Sequence, residues 1–125
     1  MAMKQIRLEL ARDHDFPQGS NSRGYEFTAP LTPDDMIDVG TWSKLKDRCR
    51  VRRFWNGRPD EVGHLVRKPG GAWAFHYDVN GDEDDDETGY RFGHHAFRLG
   101  DYVSIKEHDD TLRTFRIVSV VDLPG

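Results

Sequence analysis

The sequence predicts a mainly β fold, an antiparallel small β-barrel or rolled sheet of about eight strands with one short helix, formed as a single domain over residues 1–125. Three observations predict it. Apolar and polar residues alternate with period two through most of the chain, which puts successive side chains on opposite faces of extended strands. Turn formers recur roughly every 8 to 12 residues, the spacing of a sandwich or barrel. The length is that of one ordinary domain; Val, Ile, Leu and Phe supply 28 residues and there are 14 aromatics, enough for one modest core.

The elements follow in order. Ile6, Leu8 and Leu10 alternate with Gln5, Arg7 and Glu9 and read as the first strand. Residues 13–23 are rich in turn formers and read as a loop. Tyr25, Phe27 and Ala29 alternate with Gly24, Glu26 and Thr28 in a second strand, after which Pro30 removes a ladder donor and an edge or loop is expected. Asp38 is a candidate N-cap, and Trp42, Leu45 and Cys49 recur at helical spacing, so a short helix is expected here, weakened by roughly 1 kcal/mol at Gly40 relative to Ala. From Arg48 the alternation returns, with Cys49, Val51 and Arg53 on one side and Arg48, Arg50 and Arg52 on the other. Asn56 to Asp60 turns the chain into a return strand from Val62 to Val66.

Lys68-Pro69-Gly70-Gly71 forms the next turn and leads into Trp73, Phe75 and Tyr77, an aromatic strand face that belongs to the core. Tyr90 and Phe92, again at period two, are expected to face Tyr77 and Phe75 across an antiparallel pair. Leu99-Gly100-Asp101 turns into the strand Tyr102 to Ile105, and His108-Asp109-Asp110 closes a last hairpin onto Leu112 to Val121.

Composition narrows the function classes. No stretch approaches the ~18 consecutive apolar residues of a membrane span, and the N-terminus lacks the layout of a signal peptide, so a soluble, cytoplasmic protein is expected. Cys49 is the only cysteine, which rules out an intramolecular disulfide and a Cys-rich zinc site. The arginines around Cys49 are expected to lower its thiol pKa, yet its place in an apolar stripe reads as a small buried hydrophobe. Gly-x-Ser-x-Gly, phosphate-loop and dinucleotide fingerprints are absent, as is His-Glu-x-x-His. The leading expectation is therefore a non-catalytic binding module without a cofactor.

Two charged segments supply its candidate surfaces. Arg48, Arg50, Arg52, Arg53 and Arg58, with Trp55 beside them, form a basic strand over residues 48–58. Residues 78–87 carry seven carboxylates and read as an acidic hairpin tip, leaving 18 basic against 15 acidic residues elsewhere. Such segregation suits a protein partner or self-association. A single-stranded nucleic acid on the arginine strand is an alternative, opposed by the net charge of −4. A metal-dependent enzyme or metal binder is another: His64 and His76 become neighbours if a three-residue loop joins their strands, and Asp78 shares a face with His76. Asp82 and Asp84 would add hard oxygen ligands for a divalent cation, although an EF-hand loop started at Asp78 would place Glu83 where Gly is needed and Gly89 where Glu is needed. His94 and His95 are expected on a strand, pointing to opposite faces.

The blocks Arg48-Cys49-Arg50-Val51-Arg52-Arg53-Phe54-Trp55, Gly63-His64-Leu65-Val66, Pro69 to Asp78, Gly89-Tyr90-Arg91-Phe92-Gly93 and Gly100-Asp101-Tyr102-Val103-Ser104-Ile105 resemble those of short uncharacterised proteobacterial proteins. The resemblance spans nearly the whole chain. It implies a free-standing bacterial one-domain protein and brings no activity, ligand or catalytic residue with it.

Overall fold

Eight strands close on themselves. The computed structural model describes residues 2–78, 87–90, 92–107 and 111–123. Its strands are β1 (Ala2–Leu10), β2 (Ser20–Leu31), β3 (Arg50–Trp55), β4 (Arg58–Arg67), β5 (Trp73–Tyr77), β6 (Glu87–Tyr90), β7 (Tyr102–Lys106) and β8 (Leu112–Asp122). Each pairs antiparallel with the next, and β8 returns to β1, so the sheet is a closed up-and-down barrel in sequence order. Closure leaves no unpaired sheet edge to attract another strand.

The period-two series decide what lies inside. Ile6 and Leu8 from β1, Tyr25 and Phe27 from β2, Phe75 from β5, Val103 and Ile105 from β7, and Phe115 and Ile117 from β8 are all buried and fill the barrel. One end is plugged with apolar groups. The helix α1 (Val39–Lys44) is capped by Asp38, whose Oδ1 accepts from the Thr41 amide at 3.2 Å. It sets Trp42 edge-on to Trp73 at 4.9 Å, with the Trp42 indole N–H donating to the Leu65 carbonyl at 3.0 Å. Phe92 and Phe97 complete the plug against Phe27.

Several boundaries differ from the sequence expectation for local reasons. β2 begins at Ser20, inside the expected loop, and runs past Pro30 to Leu31. Pro30 is tolerated because β3 pairs β2 only as far as Phe27, so no ladder on that side requires its missing N–H. The helix stops at Lys44 and a 3₁₀ turn follows at Lys46–Arg48, so Trp42, Leu45 and Cys49 are not one helical stripe. Phe92 is not a strand residue. β6 ends at Tyr90 in a register that sets Phe75 opposite Glu87 and Trp73 opposite Gly89. Phe92 opens a 3₁₀ turn that ends at His94, and its ring folds back over Gly89, reaching Phe75 at 6.0 Å from outside the ladder. The turn after β4 behaves as expected: the Lys68 amide donates to the Ala72 carbonyl at 2.7 Å, which leaves Pro69 to Gly71 as a three-residue loop. Among the described residues no helix is long and apolar enough to cross a membrane.

Close backbone approach sets two glycines. A Cβ on Gly63 would sit 2.0 Å from the His76 carbonyl oxygen, and one on Gly24 would sit 1.9 Å from that of Leu8. Gly63→Ala is therefore expected to destabilise the barrel by about 1–3 kcal/mol, as overpacking does. Gly40→Ala, in α1 with only ordinary contacts, is expected to be neutral or to stabilise by up to about 1 kcal/mol. Urea unfolding of both variants checks the contrast.

Candidate functional site

The end of the barrel opposite the plug is closed by charge. Strands alternate in direction, so the C-terminal ends of β3, β5 and β7 meet the N-terminal ends of β2, β4, β6 and β8 here. The residues that finish the inward series are polar: Tyr25 continues Phe27, Arg53 continues Val51, Tyr77 continues Phe75, Glu107 continues Ile105, and Arg113 continues Phe115. Glu87 begins β6 opposite Phe75 and is fully buried at 0% exposure.

These groups bond to one another across the lumen. Glu107 is gripped from two sides, by Arg53 Nη2 at 2.9 Å and by Arg113 Nε at 3.0 Å. Arg113 also donates to Asp13 at 3.0 Å and Asp15 at 3.1 Å in the connection after β1. Tyr77 Oη donates to Glu87 Oε1 at 2.6 Å, and Tyr25 Oη lies 3.0 Å from the same oxygen and 2.8 Å from Glu107 Oε2. Arg53 reaches Glu61 at 3.5 Å but stays 3.6 Å from Glu87, and its Nε is buried without a hydrogen-bond partner. Burial pushes the Glu87 carboxyl up, against the lowering effect of Tyr77 and Arg53. Burial likewise pushes the Tyr25 and Tyr77 phenols well above their ordinary range, with Glu87 adding to both. For Arg53 burial works the other way, but Tyr25, Glu87 and Glu107 outweigh it and keep the guanidinium charged. Toward solvent, Arg53 stacks on Trp55 at 4.3 Å and Phe16 meets Trp55 edge-on at 6.0 Å.

This geometry revises both expected surfaces. Arg53 is not on the outer face: it shares parity with Val51 and lies inside, bound to carboxylates. Arg48 belongs to the 3₁₀ turn, so it does not share a strand face with Arg50 and Arg52. Arg52 is ion-paired to Glu26 and to Asp60, the latter at 2.8 Å, and Arg50 to Asp78 at 3.2 Å, so the strand carries its own counter-ions. Arg58 is exposed at the start of β4, and Trp55 is half-buried, stacked against Arg53. Glu87 is not part of an exposed acidic tip, because its parity in β6 directs it inward. Asp82 and Asp84, with the rest of 79–86, lie outside the described residues.

The histidine pair forms as the three-residue loop requires: His64 stands opposite His76, and His64 Nδ1 lies 3.1 Å from Asp78 Oδ1. Arg50 occupies the remaining positions, with Nη1 3.1 Å from His64 Nε2 and Nη2 on Asp78 Oδ2. Arg50 thus bridges His64 and Asp78, and among the described residues no three His, Cys, Asp or Glu side chains converge as a metal-binding group. Cys49 is fully buried, and burial pushes its thiol up to about 11, overriding the lowering effect of Arg48. The lowering effect expected from arginine is present at Arg48 but is outweighed, and Cys49 is the small buried hydrophobe that its place in the apolar pattern suggests.

A second feature lies on the outside. A concavity of about 1010 Å³ opens over β1 and β8, walled by Gln18 to Asn21. Arg116, opposite Glu9 on β1 and Tyr102 on β7, and Arg12 both line it. Both arginines are exposed, and among the described residues neither has an ion-pair partner. Tyr102 is 56% exposed beside them.

No protein-family model, curated protein or solved structure matches the chain. Its chemistry is read from its own residues. For Cys49 that reading is testable: native protein is expected to react with a disulfide thiol reagent at pH 8 on the order of 100-fold more slowly than urea-unfolded protein, given an ordinary thiol near 8.5 when unfolded. Equal rates would contradict the buried, unactivated thiol.

Proposed function

We propose that this chain is a non-catalytic binding module that takes a carboxylate-bearing segment of a protein partner in the groove over β1 and β8. The observation that carries the reading is the contrast between its arginines. Arg50, Arg52 and Arg53 are matched by carboxylates, while Arg12 and Arg116 flank a concavity, exposed and unpaired among the described residues, with Tyr102 beside them. Two open guanidinium forks suit carboxylates, which they bind in bidentate geometry, and an exposed phenol ring adds apolar contact with a polar tip. The barrel interior is filled by side chains, which supports binding on the outside. A short acidic segment is favoured over a nucleic acid because the chain is itself net negative and repels a long polyanion.

Fluorescence anisotropy with a labelled glutamate-rich peptide tests this at low and moderate salt. Arg12→Glu with Arg116→Glu is expected to weaken binding at least tenfold, since each charge-assisted hydrogen bond contributes about 1.5–3 kcal/mol. Arg50→Glu with Arg52→Glu is expected to leave binding within about twofold, allowing for screening between separated charges. The reverse pattern, no binding at low salt, or preferential binding of a single-stranded oligonucleotide would overturn the proposal.

A further inference from the structure

The groove over β1 and β8 contains an acid as well as two bases. Among the described residues its charged lining groups are Arg12, Arg116 and Glu9, two positive charges and one negative. Glu9 stands opposite Arg116 in the β1–β8 register, at the outward position between buried Leu8 and Leu10. Resting on the reading of this groove as the site of a carboxylate-bearing segment, we propose that Glu9 sets its specificity: it holds the groove to one net positive charge, which a carboxylate neutralises, and so disfavours phosphate groups.

The backbone fixes Glu9 at this place. The β1–β8 register shifts between Arg7 and Leu8, and the β1–β2 register shifts between Glu9 and Leu10. Glu9 therefore lies between two irregularities of the kind that bend a strand and re-aim its side chains. On the β2 side Gly24 is opposite Glu9 and Ser20 is opposite Leu10, so Asn21, Ser22 and Arg23 have no residue of β1 across from them. Two residues of this stretch, Ser20 and Asn21, become part of the groove wall.

The negative charge of Glu9 is shared rather than cancelled. Arg7 Nε donates to Glu9 Oε2 at 2.9 Å, but Arg7 Nη1 also donates to Glu26 at 3.1 Å. Glu26 pairs in turn with Arg52, and Arg52 with Asp60 at 2.8 Å. This belt of charges runs over the outer wall from β1 to β4 with three carboxylates against two guanidinium groups, so one negative charge is left over. Its groove end is Glu9, and Arg7 lies outside the lining. A glutamate side chain brings one negative charge to Arg12 and Arg116, whereas a phosphoserine brings about 1.5–2 at pH 7. The excess goes unmatched beside Glu9, one strand spacing of about 5 Å from the Arg116 backbone, where charges interact strongly enough to discriminate.

The test measures anisotropy at low salt and pH 7.5 with a glutamate-rich peptide and with the same peptide carrying phosphoserine in place of its glutamates. Wild type is expected to bind the glutamate peptide at least as tightly as the phosphoserine peptide, a comparison that needs no variant to fold. Glu9→Gln, which keeps the size of the side chain and an acceptor for Arg7, is expected to shift the affinity ratio toward the phosphoserine peptide by at least about fivefold. Asp60→Asn removes the same charge from β4, away from the groove, and is expected to leave the ratio within about twofold. Tighter wild-type binding of the phosphoserine peptide, or a Glu9→Gln shift that is smaller than this or matched by Asp60→Asn, would overturn the specificity role while leaving the carboxylate groove in place. Failure of wild type to bind the glutamate peptide would overturn the groove reading and this proposal with it.

Discussion

The clamp of Glu107 between Arg53 and Arg113 is the constraint on which the charged end of this barrel depends. It joins β3 to the adjacent strands β7 and β8, which do not pair with β3, so the ion cluster ties opposite walls across the lumen. Such a cluster does not by itself add stability over apolar packing, because withdrawing charges from water costs several kcal/mol per ion. Once formed, however, each member is hard to remove, since its partners stay buried and charged. The inward ends of β2 and β5 must then supply hydroxyls, and Tyr25 and Tyr77 do so.

The two ends of the barrel solve the same problem with different chemistry. At one, Trp42, Trp73, Phe92 and Phe97 exclude water by apolar area and edge-to-face ring contacts. At the other, guanidinium groups stacked on Trp55 and Phe16 bring their own apolar faces to the rim while their forks reach inward to carboxylates. Together they leave the lumen packed, and the open concavity lies on the outer wall. Partner contact through that wall fits a closed sheet, which offers no edge for strand addition.

The fold class was legible because period two is preserved through nearly every strand and the turns are marked by Gly, Pro, Asn and Asp. The short helix was legible from Asp38 and Trp42, but its end was not: Lys44 gives way to a 3₁₀ turn without any residue that forbids helix. The charged end was partly written in parity. Arg53 follows Val51, and Glu107 follows Val103 and Ile105, at inward positions, but a charged residue at such a position reads as exposed until a partner for it is known. Glu87 was hidden further, because it ends an acidic run that reads as one solvated tip. Tyr25 and Tyr77 were legible as core residues and silent about their hydroxyl partners, which come from strands far away in sequence. The His64–His76 pairing followed from turn length alone, whereas the Arg50 bridge between His64 and Asp78 required the register of β3 against β4.

The central claim is that Arg53 and Glu107 act as a coupled pair inside the barrel. A double-mutant cycle with Arg53→Met, Glu107→Leu and the double variant, read by urea unfolding at neutral pH, measures it most directly. Each single change strands a buried charge, whereas the double change removes both, so the cycle is expected to show an interaction of about 1–3 kcal/mol, with the double variant more stable than the sum of the singles implies. Additive effects within about 0.5 kcal/mol would contradict the account.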